Sequence, residues 1–356
     1  MRYAVEAWAT EYGTPVEDAD ALTSPQHPAL LDIEVAVADW APRRPPTSAS
    51  LPRCVVFTDG VRRIDARVWI TGDDGATSLG LCASYAAGVV RAGTGDHGGA
   101  VGDDAQTPRG APVDGVVRVN GGAHTDGAAL VGAGARRCAE IVACDVGRGL
   151  FTSAAGAEAV VTRHATFAVR AVDSDAPDRL SLALQQRMGE LEVALAERSG
   201  PADLVVIDGP LRGRQHLANA IGYVKTHHVA YLPPTVEGVV AALEPGERTP
   251  LFVTTSSWSR YSWYVRLPGG HGHAWAGVVR CEASGDLDEA GAVALADMAT
   301  ATLPRFASRP HKDSRAPQNL YPIAGLERAL RHRMGDPSLV YRSLRTAAAG
   351  VGRVES

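Results

Sequence analysis

Apolar and polar positions follow two rhythms along this chain, and their order predicts an α/β protein. Arg53-Cys-Val-Val-Phe-Thr58 is an almost unbroken apolar run, as expected of a strand covered on both faces. In Arg63-Ile-Asp-Ala-Arg-Val-Trp-Ile70 the apolar residues Ile64, Ala66, Val68 and Ile70 alternate, so one face is expected to be buried. Ser78–Val90 is a third strand candidate. The short links Asp59-Gly60 and Gly72–Gly75 predict an antiparallel meander. Cys138–Asp145 and Ala157–Val172 predict further strands.

The period then changes. Between Asp178 and Arg198, Leu184, Met188, Leu191 and Leu195 form one apolar helical stripe, which Gly200-Pro201 ends. Asp203-Leu-Val-Val-Ile207 predicts a second buried strand, followed at once by Asp208-Gly209-Pro210-Leu211. Beyond it the pattern predicts a strand over Leu217–Thr226, a short helix near Thr235–Leu243, and strands at Pro250–Thr255, Tyr261–Leu267 and Ala274–Cys281. Helices are expected at Asp286–Thr302, Tyr321–Met334 and Pro337–Ala348. Residues 1–50 read as an extension with a short helix, a strand-like Asp32–Ala38 and a Pro/Arg/Ser linker, Ala41–Ser50. The main domain is expected to span 51–349. Within it, 92–136 is rich in Gly, Asp and Ala and reads as a flexible insertion. Gly93-x-Gly95-x-x-Gly98 matches a dinucleotide fingerprint in form, but no helical pattern follows it, so no cofactor loop is expected.

Composition narrows the classes. With 45% hydrophobic and 21% charged residues, the chain can build an ordinary globular core. A net charge of −5 excludes a uniformly basic nucleic-acid binder but leaves room for a local basic groove. The five cysteines form no Cys-x-x-Cys pair, so they read as reduced core residues of a cytoplasmic protein and no zinc site is expected. Met1–Ala9 does not resemble a signal peptide, and no apolar stretch approaches the roughly 18 residues of a membrane span. No Gly-x-Ser-x-Gly and no P-loop occurs, which argues against a serine hydrolase and against an ATPase. Among many arginines, Lys225 and Lys312 are the only lysines. The pair stands out because an ammonium and a guanidinium are not interchangeable.

The candidate chemistry lies in two Asp-Gly steps, each directly after an apolar strand: Asp59-Gly60 and Asp208-Gly209. A carboxylate there is well placed for a metal, and the adjacent glycine permits close approach of a phosphate or water. The ordinary alternative is a pair of turn dipeptides. The order of three strands, a helix and a strand is that of an RNase H-like core. That core needs carboxylates on its first strand, its helix and its fourth strand to hold divalent cations for phosphoryl displacement. At about 100° per residue, Glu192 falls beside the helix's apolar stripe and Glu190 on its outer side, so Glu192 is favoured as the helix ligand.

Phe57-Thr-Asp59-Gly60-Val-Arg62, Asp208-Gly209-Pro210-Leu211, Gly222-Tyr-Val-Lys225-Thr226 and Pro310-His-Lys-Asp-Ser-Arg-Ala-Pro-Gln-Asn-Leu-Tyr321-Pro322-Ile-Ala-Gly-Leu-Glu327 together resemble the NurA family of DNA end-processing nucleases. The matches run from about residue 53 to 336. The resemblance implies an RNase H-like (Piwi-like) mixed sheet flanked by helices, with additional strands and C-terminal helices. It also implies Mn²⁺- (or Mg²⁺-) dependent DNA cleavage, as a 5′-end exonuclease or single-strand endonuclease, by a homodimer. The implied partner is a hexameric HerA-type ATPase translocase, and the setting is repair or anti-phage defence. Carried across, Asp59, Asp208 and Glu192 (or Glu190) take the metal-binding roles. Archaeal members place a histidine on the C-terminal helix after a Tyr-Pro turn; here Glu327 falls at that place, and His311 upstream is the other candidate.

Arg62 and Arg63 after the first Asp-Gly, and Arg212 and Arg214 after the second, are expected to contact phosphates. Lys225 is expected to orient the attacking water or offset charge on the phosphate. Trp258, Arg260, Tyr261, Trp263 and Tyr264 are candidates for base stacking, with strand core as the alternative. His227-His228 and His271-x-His273 lack a supporting cluster and are read as bland. Two other functions remain open: an RNA-directed RNase H-like nuclease, and a non-catalytic subunit that docks on a ring ATPase.

Overall fold

The computed structural model describes residues 29–72, 75–93, 139–227, 231–255 and 258–351. Its strands are β1 (Cys54–Thr71), β2 (Thr77–Gly93), β3 (Ala139–Thr152), β4 (Val160–Val161), β5 (Thr166–Ala171), β6 (Leu204–Asp208), β7 (Ala220–Val224), β8 (Phe252–Thr255), β9 (Ser259–Arg266) and β10 (Val278–Ser284). Its helices are α1 (Pro177–Arg198), α2 (Pro234–Ala242), α3 (Glu289–Thr302), α4 (Tyr321–Arg333) and α5 (Pro337–Val351). The architecture is α/β. The strands form one mixed sheet in the order β4-β5-β3-β2-β1-β6-β7-β10-β9-β8, flanked by helices. Among the described residues no helix is long and apolar enough to cross a membrane.

Two expectations are corrected. The segments 53–58 and 63–70 are not separate strands linked by an Asp-Gly turn. They are one strand of 18 residues that runs through Asp59-Gly60. The glycine there serves close packing rather than chain reversal. Asp32–Ala38 is not a strand either: Asp32 Oδ1 accepts the Val37 backbone N–H at 2.8 Å, which curls the segment into a turn before the 3-10 helix Val37–Asp39. The short aspartate side chain competes with strand pairing, as Asx residues do. The insertion expected at 92–136 lies almost wholly outside the described residues, as do residues 1–28.

The chain divides into two compact units. One takes its described residues from 29–58, 90–93 and 200–325. Here the first residues of β1 pair in parallel with β6, from Val55↔Leu204 to Thr58↔Ile207, and β6 pairs in parallel with β7. β10, β9 and β8 follow β7, each antiparallel to the last. Strands covered on both faces need apolar residues at every position, and Val55, Val56 and Phe57 supply them. Val236 and Val240 of α2 pack with Trp40, Phe252, Tyr264 and Val278. In the same unit Arg248, 1% exposed, is held by hydrogen bonds to Glu34 and Asp297.

The other unit takes its described residues from 59–72, 75–89, 139–199 and 326–351. The two-residue strand period accounts for its two cores. Leu81, Ala83 and Tyr85 of β2 point to α1, where Leu180, Leu184 and Met188 meet them. Cys82 points the other way, to Leu150, Phe167 and the Val340 and Leu344 face of α5.

Candidate functional site

In the second unit the site is built around Gly60. Asp59, 7% exposed, turns its Oδ1 along the strand to accept the Gly60 N–H at 2.7 Å. From α1, Glu192 arrives at the same glycine: an added Cβ at position 60 would lie 2.2 Å from Glu192 Oε1 and 2.9 Å from Met188 Cγ. A side chain at position 60 would therefore displace the helix carboxylate, which occupies its space. The apolar stripe explains why Glu192 is inside, since it rides between Met188 and Leu195 on the buried face. Glu190 lies on the exposed face and pairs with Arg187 at 2.6 Å. Glu327, on α4, is 9% exposed and bonds with Arg331 one turn later at 2.7 Å.

Arg62 is exposed, as a phosphate contact would require. Arg63 is engaged elsewhere. Its Nε donates to Asp65 Oδ1 at 2.6 Å and its Nη1 to the Gly335 carbonyl at 2.9 Å. Ser84 Oγ donates to the other Asp65 oxygen at 2.5 Å, and Arg148 donates to the Met334 carbonyl at 3.0 Å. Two guanidiniums thus meet the carbonyls just beyond α4, where a helix presents its negative end.

In the first unit, Asp208 ends β6 opposite Tyr223 of β7. Lys225 Nζ lies 2.7 Å from each carboxylate oxygen and hydrogen-bonds with Oδ2, while Oδ1 is buried without a hydrogen bond. Nζ also donates to Asn319 Oδ1 at 3.1 Å, and Asn319 Nδ2 donates to Asp313 Oδ2 at 2.7 Å. The turn after Asp208 is held tightly. Gly209 and Tyr223 exchange backbone hydrogen bonds, and a Cβ at Gly222 would meet Leu211 N at 2.6 Å. The Leu211 N–H donates to Glu282 Oε2 at 3.1 Å. Burial pushes the Glu282 carboxyl up, but the charges of Arg280 and Arg260 with the Leu211 N–H outweigh it and hold the group below its ordinary value.

The other sequence candidates divide. Arg212 and His311 are exposed; Arg214 is half-buried, with Nη1 3.3 Å from the Pro210 carbonyl. Trp263 and Tyr264 are core residues, so strand core is correct for them and base stacking is not. Trp258 packs partly against Ile207 and Leu211, with the Arg260 guanidinium 5.3 Å above its ring. His227 Nε2 lies 3.0 Å from the Val278 carbonyl; His228 falls outside the described residues. Sequence reasoning missed Asp65, Ser84, Arg148, Glu282, Asn319 and Asp313. The signal for Glu282 was present: a charged residue in the apolar run Val278–Ala283 must have a buried partner.

Each unit's carboxylates suit a hard divalent cation, because Asp59 and Glu192 in one and Asp208 in the other offer oxygen only. Among the described residues no group of three or more His, Cys, Asp or Glu side chains is gathered so as to hold a metal ion. Mg²⁺ and similar ions are commonly bound by one or two carboxylates, with waters and substrate phosphates completing the shell. No protein-family model matches the chain, and no curated protein sequence matches it.

Proposed function

We propose that this protein is a divalent-metal-dependent deoxyribonuclease with an RNase H-like core, of the NurA type. The observation that carries the reading is the centre of the sheet. Its order there is β3-β2-β1-β6-β7, with β1, β6 and β7 parallel. The β1–β6 register runs to Thr58↔Ile207, and the next residue on each strand is the aspartate of an Asp-Gly step. A buried glutamate on the helix that precedes β6 supplies the third carboxylate that such a core uses.

In this reading Mn²⁺ or Mg²⁺ bound at Asp59 and Glu192 of one unit, and at Asp208 of the other, would activate water and stabilise the leaving oxygen of a phosphodiester. Gly60, without a side chain, leaves the space that Glu192 Oε1 occupies beside the residue after Asp59. Lys225 keeps its ammonium on Asp208 and offers positive charge to the phosphate. Arg62 and Arg212 are the exposed cations that would meet the DNA backbone. DNA, a HerA-type translocase and a second copy of the chain are the partners this reading calls for.

A second reading has an observation of its own. Asp208 is already matched by Lys225 and Glu327 by Arg331, as in a subunit whose carboxylates are structural and which serves by docking on a ring ATPase. Cleavage of labelled single- and double-stranded DNA with Mn²⁺, Mg²⁺ or EDTA separates the two, comparing wild type with Asp59→Ala and Asp208→Ala. Metal-dependent cutting lost in both variants is expected. No cutting by the wild type, with or without the ATPase, hands the case to the docking subunit.

A further inference from the structure

We propose that Asn319 and Asp313 are positioning residues that fix the ammonium of Lys225 against Asp208. The catalytic consequence rests on the nuclease reading; the positioning itself does not.

A buried ammonium needs acceptors for its N–H groups, because each unmet one forfeits its hydration. Lys225 is 5% exposed, and Asn319, wholly buried, supplies one such acceptor. A primary amide can face either way, and only its oxygen can accept from an ammonium. Asp313 decides the direction. Its carboxylate accepts from Asn319 Nδ2 at 2.7 Å, which leaves Oδ1 toward Nζ. The reversed amide would set its NH₂ against the ammonium and its carbonyl oxygen against a carboxylate, and both contacts repel. Charge at 313 is thereby converted into orientation at 319 and position at 225.

The relay is fastened on both sides. Asp313 Oδ1 accepts the Arg315 N–H at 2.8 Å, and the Asn319 N–H donates to the Arg315 carbonyl at 3.0 Å. The neighbouring Gln318 accepts from Tyr223 Oη at 2.6 Å and donates to the Val278 carbonyl at 3.1 Å, which ties the loop to β7 and β10. Tyr223 is also the register partner of Asp208. The same strand thus locates the carboxylate, the lysine and the loop. This accounts for a lysine in a chain that otherwise uses arginine. A compact ammonium can direct separate N–H groups at a carboxylate and an amide, whereas a planar guanidinium spreads its donors in a fixed fork.

Because Lys225 and Lys312 are the only lysines, uniform lysine ¹⁵Nζ labelling gives two side-chain ammonium signals. Lys312 is exposed, so its protons exchange quickly with water. The wild-type Lys225 signal should be slow to exchange, and it should shift and broaden in both Asn319→Leu and Asp313→Asn. An unchanged Lys225 signal in either folded variant overturns the proposal. If circular dichroism shows that Asn319→Leu is unfolded, the near-isosteric Asp313→Asn decides. In the cleavage assay Asn319→Leu should lower kcat by on the order of 10-fold to 100-fold, as misplacement does, with KM for DNA unchanged. Added to Lys225→Met it should cause no further loss; multiplying losses would show that Asn319 acts independently and overturn the relay. A wild type that cuts no DNA refutes the nuclease reading, and the ammonium signals still decide the positioning.

Discussion

Glu192 Oε1 lies where a side chain at position 60 would begin, 2.2 Å from the place of a Cβ on Gly60. Gly60→Ala must therefore move the glutamate or the strand. The obstructing atoms are the ends of flexible side chains, Glu192 and Met188, so the fold can give way at modest cost, about 1–3 kcal/mol. The helix carboxylate cannot stay where it is. Gly60→Ala is expected to retain most of its thermal stability while metal-dependent cleavage falls at least about 10-fold, a loss of about 1.4 kcal/mol in transition-state stabilisation. Undiminished cleavage by a folded Gly60→Ala protein would show that the position of Glu192 does not matter.

The two helix glutamates give a sharper contrast. Glu192 is 3% exposed, whereas Glu190 stands in solvent beside Arg187. Glu192→Gln, which keeps shape and removes charge, should abolish cleavage and weaken Mn²⁺ binding measured by calorimetry. Glu190→Gln should match wild type in both, since an exposed ion pair contributes little. Equal effects of the two substitutions would rule out Glu192 as the ligand.

Why one glutamate could be chosen from sequence, while the relay around Lys225 could not, follows from what each depends on. Helical phase is local, so Leu184, Met188, Leu191 and Leu195 locate the inner face and Glu192 with it. The apolar runs of β1 and β6 were legible for the same reason. Asn319 and Asp313 act on a lysine 94 and 88 positions away in sequence, and no periodicity reports such a contact. Gly60 misled in the opposite direction: Asp-Gly is a turn dipeptide by local preference, but helix packing holds it extended within β1. Arg63 stood beside a candidate carboxylate in sequence, yet its guanidinium is taken by Asp65 and the end of α4.

Arg248 makes a stability prediction independent of function. Its guanidinium is 1% exposed and faces two carboxylates, Glu34 and Asp297. Burial pushes Glu34 up, but hydrogen bonding and charge from Arg248 leave its carboxyl below the ordinary value. Arg248→Met removes the cation and leaves two carboxylates inside, a change that typically costs about 3–5 kcal/mol. Chemical denaturation should show that loss, and adding Glu34→Gln to Arg248→Met should recover part of it. A loss no larger than that of a surface substitution, below about 0.5 kcal/mol, would mean that the network contributes little.

The thiols should report how tightly the sheet is closed. Burial, with the Asp65 charge adding to it, pushes Cys82 up to about 12, and burial raises Cys281 as well. The thiolate is the reactive form, so neither residue should react with iodoacetamide at pH 8 in the native state, and both should react in denaturant. Among the described cysteines, Cys54 and Cys144 are half-buried and should label before Cys82 and Cys281. Peptide mapping after a short exposure checks the order, and early labelling of Cys82 would show that the core between β2 and α5 opens readily.

Glu282 ties acid stability to the turn that carries Asp208. Its carboxyl titrates lower in the folded chain than in the unfolded one, where a glutamate has a pKa of about 4.3. The stabilisation is therefore present above that value and disappears as pH falls through it toward the folded-state pKa. Wild-type melting temperature should drop as pH is lowered below about 4.3, and part of that drop should be missing from Glu282→Gln. At pH 7 the same variant leaves Arg260 and Arg280 buried beside a neutral amide, so it should melt well below wild type, with a loss of about 3–5 kcal/mol. The two proteins' melting curves should then converge as the solution is acidified. Parallel pH profiles would show that the carboxylate of Glu282 is not what holds the Leu211 turn.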